Sequence, residues 1–219
     1  IAEGVDVVHG TAVASIIAAE TGEPGALPDE DGMAGICWRC RLMVLKMGDS
    51  ERFEGDPVKA IRYAIANGAN VINISAGDLL DWDDLEGLTE SDDAEECEAA
   101  EDEWQWRGCE GLDLAPCGEL TQECRKIQEC RAVQYRRLEC AVNDAAEANI
   151  VVVAAAGNKN TDRPHFPSRF QNAIAVGASD QEDRRWVTNS SDGSNFGRDL
   201  DLMAPGEPGT IRAAHHGGG

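Results

Sequence analysis

Short apolar runs alternate along this chain with segments in which apolar residues recur at helical spacing. Most of the runs are apolar throughout rather than alternating with polar residues, which is typical of parallel strands buried on both faces. Five runs are predicted as strands: Arg41–Met47, Asn70–Ser75, Ile150–Ala155, Asn172–Val176 and Asp199–Met203. The pattern predicts an α/β fold with a mostly parallel sheet covered by helices on both faces.

The first predicted helix begins near His9 and ends at Thr21 and Gly22. Val13, Ile16 and Ile17 recur within it at helical spacing. Alanine occupies many of the other positions, and such small side chains allow neighbouring elements to approach closely. This segment is therefore expected to be a buried helix.

A second helix is predicted between the first two strands. Asp56 is a favourable N-cap, and Pro57 suits the first helical position because the missing amide hydrogen would have no partner there. Gly68 fits the left-handed position that ends many helices. Three apolar residues share one predicted face: Val58, Ile61 and Ile65. Strand, helix and strand at this spacing predict a right-handed parallel crossover.

Charge divides the chain into two parts. The 219 residues carry 41 acidic and 19 basic side chains, a net charge of −22, yet 14 of the acidic residues and none of the basic ones lie between Asp78 and Glu103. We therefore predict a main domain of residues 1–78 and 135–219, and an acidic, Cys-rich insertion of residues 79–134. No basic stripe is available to neutralise phosphates, which argues against nucleic acid as a partner. The acidic arm is open to three readings, which are cation binding, recognition of basic substrates and a solvated face, and the last is the most common.

The insertion is predicted to form a helical hairpin. Glu119–Asn149 has the pattern of one long helix, and Ser91–Arg107 that of an antiparallel partner. Six of the eight cysteines lie in this part of the chain: Cys97, Cys109, Cys117, Cys124, Cys130 and Cys140. The last three are separated along a continuous helix by about 9 Å or more, whereas a disulfide needs Cα atoms within about 7 Å. We therefore expect each of the three to pair outside the long helix, with the connectivity left open.

Disulfides compete with metal binding as the role of these cysteines. The other two form CWRC, Cys37–Cys40, which leads into a predicted strand instead of starting a helix, so a redox function is disfavoured. A single C-x-x-C also lacks the second pair of a zinc site. Disulfides are favoured, and they imply an oxidising compartment.

Three segments, taken in order, resemble the subtilisin-like serine endopeptidases. They read HGTAVASIIAAE from His9 to Glu20, VINISAGD from Val71 to Asp78 and IVVVAAAGN from Ile150 to Asn158. The resemblance implies a three-layer subtilisin-like fold and hydrolysis of peptide bonds through an acyl-enzyme. It also implies a cis bond at Phe166-Pro167, in the segment before a later strand.

The resemblance assigns roles to particular residues. His9 is the implied general base, and Asn158 is the implied donor to the oxyanion. Both are expected to face one cleft at the carboxyl edge of the sheet. The residues implied to line the substrate are Ser75, Ala76, Gly77, Ala155, Ala156 and Gly157.

Two parts of the family pattern have no counterpart here. No Asp-Ser/Thr-Gly segment precedes His9, and no Gly-Thr-Ser segment follows the Ala-Pro-Gly at Ala204–Gly206. Either Ile211 stands in a degenerate copy of that motif, or Thr210–Ala213 is the strand before the nucleophile; spacing favours the second. The nucleophile and the triad Asp are expected outside this chain, which would then be inactive by itself. The alternatives are a non-catalytic homologue that binds peptides and an interaction module acting through the acidic insertion.

Partners and cofactors follow from the same reading. Polypeptides are the expected substrates, and no cofactor is needed for the chemistry. Carboxylate loops such as Asp29–Asp31 are compatible with a structural calcium ion, although no metal ligand is named. No apolar run reaches the roughly 20 residues of a membrane span. An extracellular location is expected, and the oligomeric state is left open.

Overall fold

The computed structural model describes residues 5–20, 34–47, 55–76, 94–106, 108–109, 122–211 and 213. The chain forms two compact units, one of residues 1–56 with 206–219 and one of residues 57–205. The predicted limits of the insertion, 79–134, are a different division and stay a prediction. Within the described ranges, no helix has both the length and the apolar character needed to cross a membrane.

The first unit contains helix α1, Val5–Ala18. The helix begins at Val5, so His9 lies inside it instead of opening it, and the His9 side chain is exposed. The carbonyls of Ile16 and Ile17 accept hydrogen bonds from the amides of Ile36 and Cys37 at 3.0 and 2.8 Å. The last carbonyls of a helix have no hydrogen-bond donor within the helix, and these two contacts supply one to each.

The predicted strand Arg41–Met47 is wrong. These residues form no strand, and Leu42, Met43 and Val44 are 45%, 42% and 77% exposed. An apolar run favours burial, but a strand forms only where a neighbour supplies hydrogen-bond partners. Because these residues form no strand, the predicted strand–helix–strand crossover is wrong as well.

The second unit is built on a parallel sheet, as predicted. The strands are β1 (Val71–Ile74), β2 (Val151–Ala155), β3 (Ala173–Ser179), β4 (Val187–Asn189), β5 (Asp192–Gly193) and β6 (Leu202–Pro205). The main sheet has the order β1-β2-β3-β6, and each neighbouring pair is parallel. β4 and β5 form a small antiparallel pair.

The last strand of the main sheet begins later than predicted, at Leu202. Asp201 bonds β3 through different groups: its carboxylate accepts from the Ala175 amide at 2.8 Å, and its own amide donates to the Ala175 carbonyl at 3.1 Å. The Asp201 carboxylate therefore replaces a backbone carbonyl as the acceptor at this position between the two strands. The other predicted strands of this sheet, Asn70–Ser75, Ile150–Ala155 and Asn172–Val176, are confirmed.

Two helices, α2 (Pro57–Ala66) and α4 (Gln122–Glu147), pack on one face of the sheet. α2 begins at Pro57 and is followed by Gly68 with a φ of 73°, as predicted. The shared core contains Val58, Ile61, Tyr135, Leu138, Val142, Val152, Phe166 and Phe170. The bond Phe166-Pro167 is cis, which confirms that prediction. The ring of Tyr135 meets Phe166 edge-on with centroids 4.7 Å apart, so the segment holding this bond is packed on α4.

A further helix, α3 (Ala94–Trp106), packs against α4. Cys97 is bonded to Cys140 and Cys109 to Cys130, and this nested order along the chain shows that α3 and α4 run antiparallel. Neither Cys130 nor Cys140 pairs within α4, as predicted. Cys117 and the Cys124 side chain lie outside the described residues, so the third bridge stays a prediction. In the first unit, Cys37 is bonded to Cys40.

Ion pairs also tie α3 to its neighbours. Glu101 of α3 lies 2.9 Å from Arg62 of α2 and 3.0 Å from Arg137 of α4. The Arg137 side chain is 3% exposed, and a charge so deeply buried requires a partner. One carboxylate therefore joins three helices.

Candidate active site

Two segments predicted to line the substrate end side by side at the carboxyl edge of the sheet. β1 and β2 run parallel with Ile74 opposite Ala154. The residues next after this pair, Ser75 and Ala155, therefore lie at the same edge. In open α/β sheets this edge is where ligands bind. Ala76 continues from Ser75, whereas Gly77 lies outside the described residues.

The chain turns sharply where β2 ends. Ala156 is buried, and its amide still bonds the sheet through the Val176 carbonyl at 2.9 Å. Gly157 then takes a φ of +102°, a conformation that side chains other than hydrogen rarely allow. Asn158 follows with its side chain exposed, while its carbonyl accepts from the Gly193 amide at 3.2 Å. The backbone of Asn158 is thus held by a hydrogen bond, while its side-chain amide is exposed to solvent.

His165 packs closely against this turn. Its side chain is buried, and its backbone amide donates to the Ala156 carbonyl at 2.8 Å. A Cβ placed on Gly157 would lie 2.5 Å from His165 Nδ1. The imidazole therefore fills the space that a side chain at Gly157 would need.

Asn195 contacts the same turn from a second direction. It is fully buried. Its Oδ1 accepts from the Lys159 amide at 2.8 Å and from the Thr161 amide at 3.3 Å. Its Nδ2 donates to the Ala156 carbonyl at 3.0 Å, and its backbone amide donates to the Gly157 carbonyl at 2.8 Å. These four bonds lie on both sides of Asn158 along the chain.

We expect Gly157→Ala to lower the free energy of unfolding by about 2 to 5 kcal/mol. The positive φ contributes roughly 1 to 2 kcal/mol, and overpacking against His165 and Asn195 about 1 to 3 kcal/mol. Gly68→Ala is the matched control, because Gly68 also has a positive φ but an added Cβ there meets no atom within 4 Å. Urea denaturation of both variants measures the difference, and equal losses would contradict the proposed crowding at Gly157.

His9 and Asn158 belong to different units. His9 lies on α1 of the first unit, exposed and followed by Gly10. Asn158 lies on the turn after β2 in the second. The expectation that both face one cleft stays a prediction.

Metal binding finds no further support among the described residues. There, no group of three or more His, Cys, Asp and Glu side chains could hold a metal ion. Asp29–Asp31 lie outside the described ranges, so a calcium site stays a prediction. Asp180, after β3, is engaged by its own loop: the Arg184 amide donates to its carboxylate at 2.8 Å and holds the pKa of Asp180 below its usual value.

Sequence reasoning missed His165 and Asn195. His165 stands in a Pro-containing segment and Asn195 in a Gly-containing one, and each segment has the composition of an ordinary loop. Burial distinguishes them from turn residues, and burial of a loop Asn depends on contacts that are distant along the chain. A single sequence offers no signal for that.

Known proteins resemble this chain over most of its length. A family model described as the subtilase family (Peptidase S8) matches residues 5–218. The thermophilic serine proteinase of Bacillus sp. strain AK1 is 31% identical over 200 residues, which cover 90% of this chain and 34% of that protein. Alkaline elastase YaB of Bacillus sp. strain YaB is 44% identical over 69 residues, 32% of this chain and 17% of that protein. The chain therefore spans about a third or less of the length of these relatives.

Solved structures agree with the fold. The prenylagaramide maturation protease PagA matches with a TM-score of 0.56 and 26% identity, covering 97% of this chain and 56% of that one. The psychrophilic subtilisin-like protease Apa1 of Pseudoalteromonas sp. AS-11 matches with a TM-score of 0.55 and 17% identity, covering 93% of this chain and 33% of that one. The second likeness is one of fold alone.

Proposed function

This chain belongs to the subtilase family, and on that premise we propose that it forms part of the catalytic domain of a serine endopeptidase. The observation that carries the proposal is the position of Asn158. It is exposed, on a turn held by several hydrogen bonds, at the edge where β1 and β2 end together. An amide donor fixed in this way suits the stabilisation of negative charge that develops on a substrate carbonyl oxygen.

The proposed chemistry is acyl transfer. A serine Oγ attacks the peptide carbonyl carbon while His9 takes its proton, and His9 then gives the proton to the leaving amine. The Asn158 side-chain amide donates to the oxyanion of the tetrahedral intermediate. Water repeats the sequence on the acyl-enzyme and releases the second product.

The proposed substrate is an extended polypeptide. Backbone groups of Ser75, Ala76 and Gly77 would pair with it as an added strand. Ala155, Ala156 and Gly157 have small side chains, which leave room for a substrate side chain at this edge.

An extracellular location accompanies this function. Three bridges are formed among the described cysteines, Cys37–Cys40, Cys97–Cys140 and Cys109–Cys130. Such bonds form and persist in oxidising compartments. The secreted location is therefore part of the proposal.

The test compares this 219-residue chain with the full-length gene product. We expect the chain by itself to hydrolyse no peptide and to take no label from a serine-directed phosphonate, because none of its Ser residues has the Gly-Thr-Ser context. The full-length product is expected to do both, and its His9→Ala variant to lose the labelling. Mass spectrometry of the labelled protein reads the stoichiometry.

Two outcomes would count against the proposal. Stoichiometric labelling of a Ser in the chain alone would show that the nucleophile has been misassigned. A folded full-length product that binds peptides, yet neither cleaves them nor takes the label, would favour the non-catalytic homologue.

A further inference from the structure

We propose that Asn195 is a positioning residue for Asn158, which it acts on by fixing the turn that carries the oxyanion donor. This inference rests on the proposed function, since it assigns Asn195 a part in the same reaction. Asn195 itself does not touch the substrate. It is fully buried, whereas Asn158 is exposed.

The hydrogen bonds of Asn195 enclose Asn158 along the chain. Before Asn158, Asn195 holds the carbonyls of Ala156 and Gly157. After it, Asn195 holds the amides of Lys159 and Thr161. A turn fixed on both sides cannot rotate its central residue without breaking one of these bonds. Asn195 therefore helps to fix the backbone from which the Asn158 side chain projects.

Only a carboxamide satisfies this pattern. Oδ1 accepts hydrogen bonds from two backbone amides, while Nδ2 donates one to a carbonyl. The position therefore needs an acceptor and a donor on one short side chain. Aspartate has the same shape but no donor, and it would place a carboxylate oxygen against the Ala156 carbonyl, now 3.0 Å from Nδ2. Alanine would leave the buried groups of the turn without partners.

Asn195 is itself attached to the sheet. The Oγ of the neighbouring Ser194 accepts a hydrogen bond from the Ala178 amide of β3 at 2.8 Å. The same hydroxyl donates to the Asn195 carbonyl at 3.1 Å. Arg185 donates to the Ser194 carbonyl at 2.7 Å. The turn after β2 is thus connected through Asn195 and Ser194 to β3 of the main sheet.

The consequence for catalysis is preorganisation. A donor that is already aimed at the oxyanion needs no reorientation as charge develops. A misplacement of about 1 Å in a reacting constellation can lower the rate on the order of 100-fold. Loss of Asn195 is therefore expected to act on kcat rather than on substrate binding.

The test has a kinetic and a structural arm. In the full-length protein, Asn195→Ala and Asn195→Asp are expected to lower kcat on the order of 100-fold with little change in KM. Combined with Asn158→Ala, Asn195→Ala should lower kcat no further than Asn158→Ala alone. In the 219-residue chain, hydrogen exchange at the Lys159 and Thr161 amides should accelerate in Asn195→Ala. Asn195→Asp keeps both acceptor contacts, so these amides should stay better protected there.

Asn172→Ala is the matched control, because Asn172 also bonds through its side chain, to Asn143 at 3.0 Å, but on the exposed surface. It should change neither kcat nor the exchange of the two amides. Additive losses in the double variant, a matching rise in KM or unchanged amide exchange would overturn the positioning role. A full-length protein without any peptidase activity would refute the proposed function, while the exchange measurement would still decide whether Asn195 holds the turn.

Discussion

Asn158→Ala in the full-length protein is expected to lower kcat by about 100- to 1,000-fold, or roughly 3 to 4 kcal/mol of transition-state stabilisation. This is the magnitude typical of losing one oxyanion donor in a subtilisin. KM should change little, since the oxyanion exists in the transition state and not in the bound substrate. Steady-state kinetics on a peptide substrate separates the two constants.

The fold provides a control for this experiment. Asn172→Ala removes an exposed amide of the same kind from outside the carboxyl edge, and it should leave both constants unchanged. An Asn158→Ala enzyme with normal kcat, or one changed only in KM, would show that Asn158 does not stabilise the transition state. The His9 assignment would be unaffected by that result.

The second large effect concerns stability. Replacing Cys97 and Cys140 by Ser is expected to lower the free energy of unfolding by about 4 kcal/mol, because their bond closes a long loop, with a sequence separation of 43. Removing Cys37–Cys40, with a separation of 3, should cost about 2 kcal/mol in the same chain-entropy treatment. Urea denaturation followed by the helical circular-dichroism signal measures both.

The comparison of the two pairs makes the result interpretable. Equal losses from both would mean that loop closure in the unfolded chain is not what the longer bond contributes. An unchanged midpoint for the Cys97 and Cys140 variant would mean that helix packing and the ion pairs of Glu101 hold α3 without the bond.

Elements with a strong local pattern were predictable. β2 is a continuous apolar run, and α2 has its N-terminal Pro57 and its terminal Gly68 at the expected positions. The expectation that the helical cysteines pair outside α4 also followed from rise per residue alone, and it is confirmed for Cys130 and Cys140. Each of these depends on residues close together in the chain.

Features that depend on distant partners were not predictable. Arg41–Met47 has the composition of a buried strand, but composition does not supply the neighbouring strand that would pair with it. Asn195 accepts a hydrogen bond from the Lys159 amide across a separation of 36 residues. The sequence around Asn195 has the composition of an ordinary loop and gives no sign of this contact. The resemblance pointed to Asn158, whereas the support behind Asn158 became visible only once the turn and its contacts were known.

The nested disulfide bonds of the α3–α4 hairpin have a consequence for proteolysis of this part of the chain. Any single cut between Cys97 and Cys140 leaves the two fragments covalently joined, and a cut between Cys109 and Cys130 leaves them joined twice. A single cut in the hairpin therefore releases no fragment. The cut chain would run as two bands on a reducing gel and as a single band on a non-reducing gel.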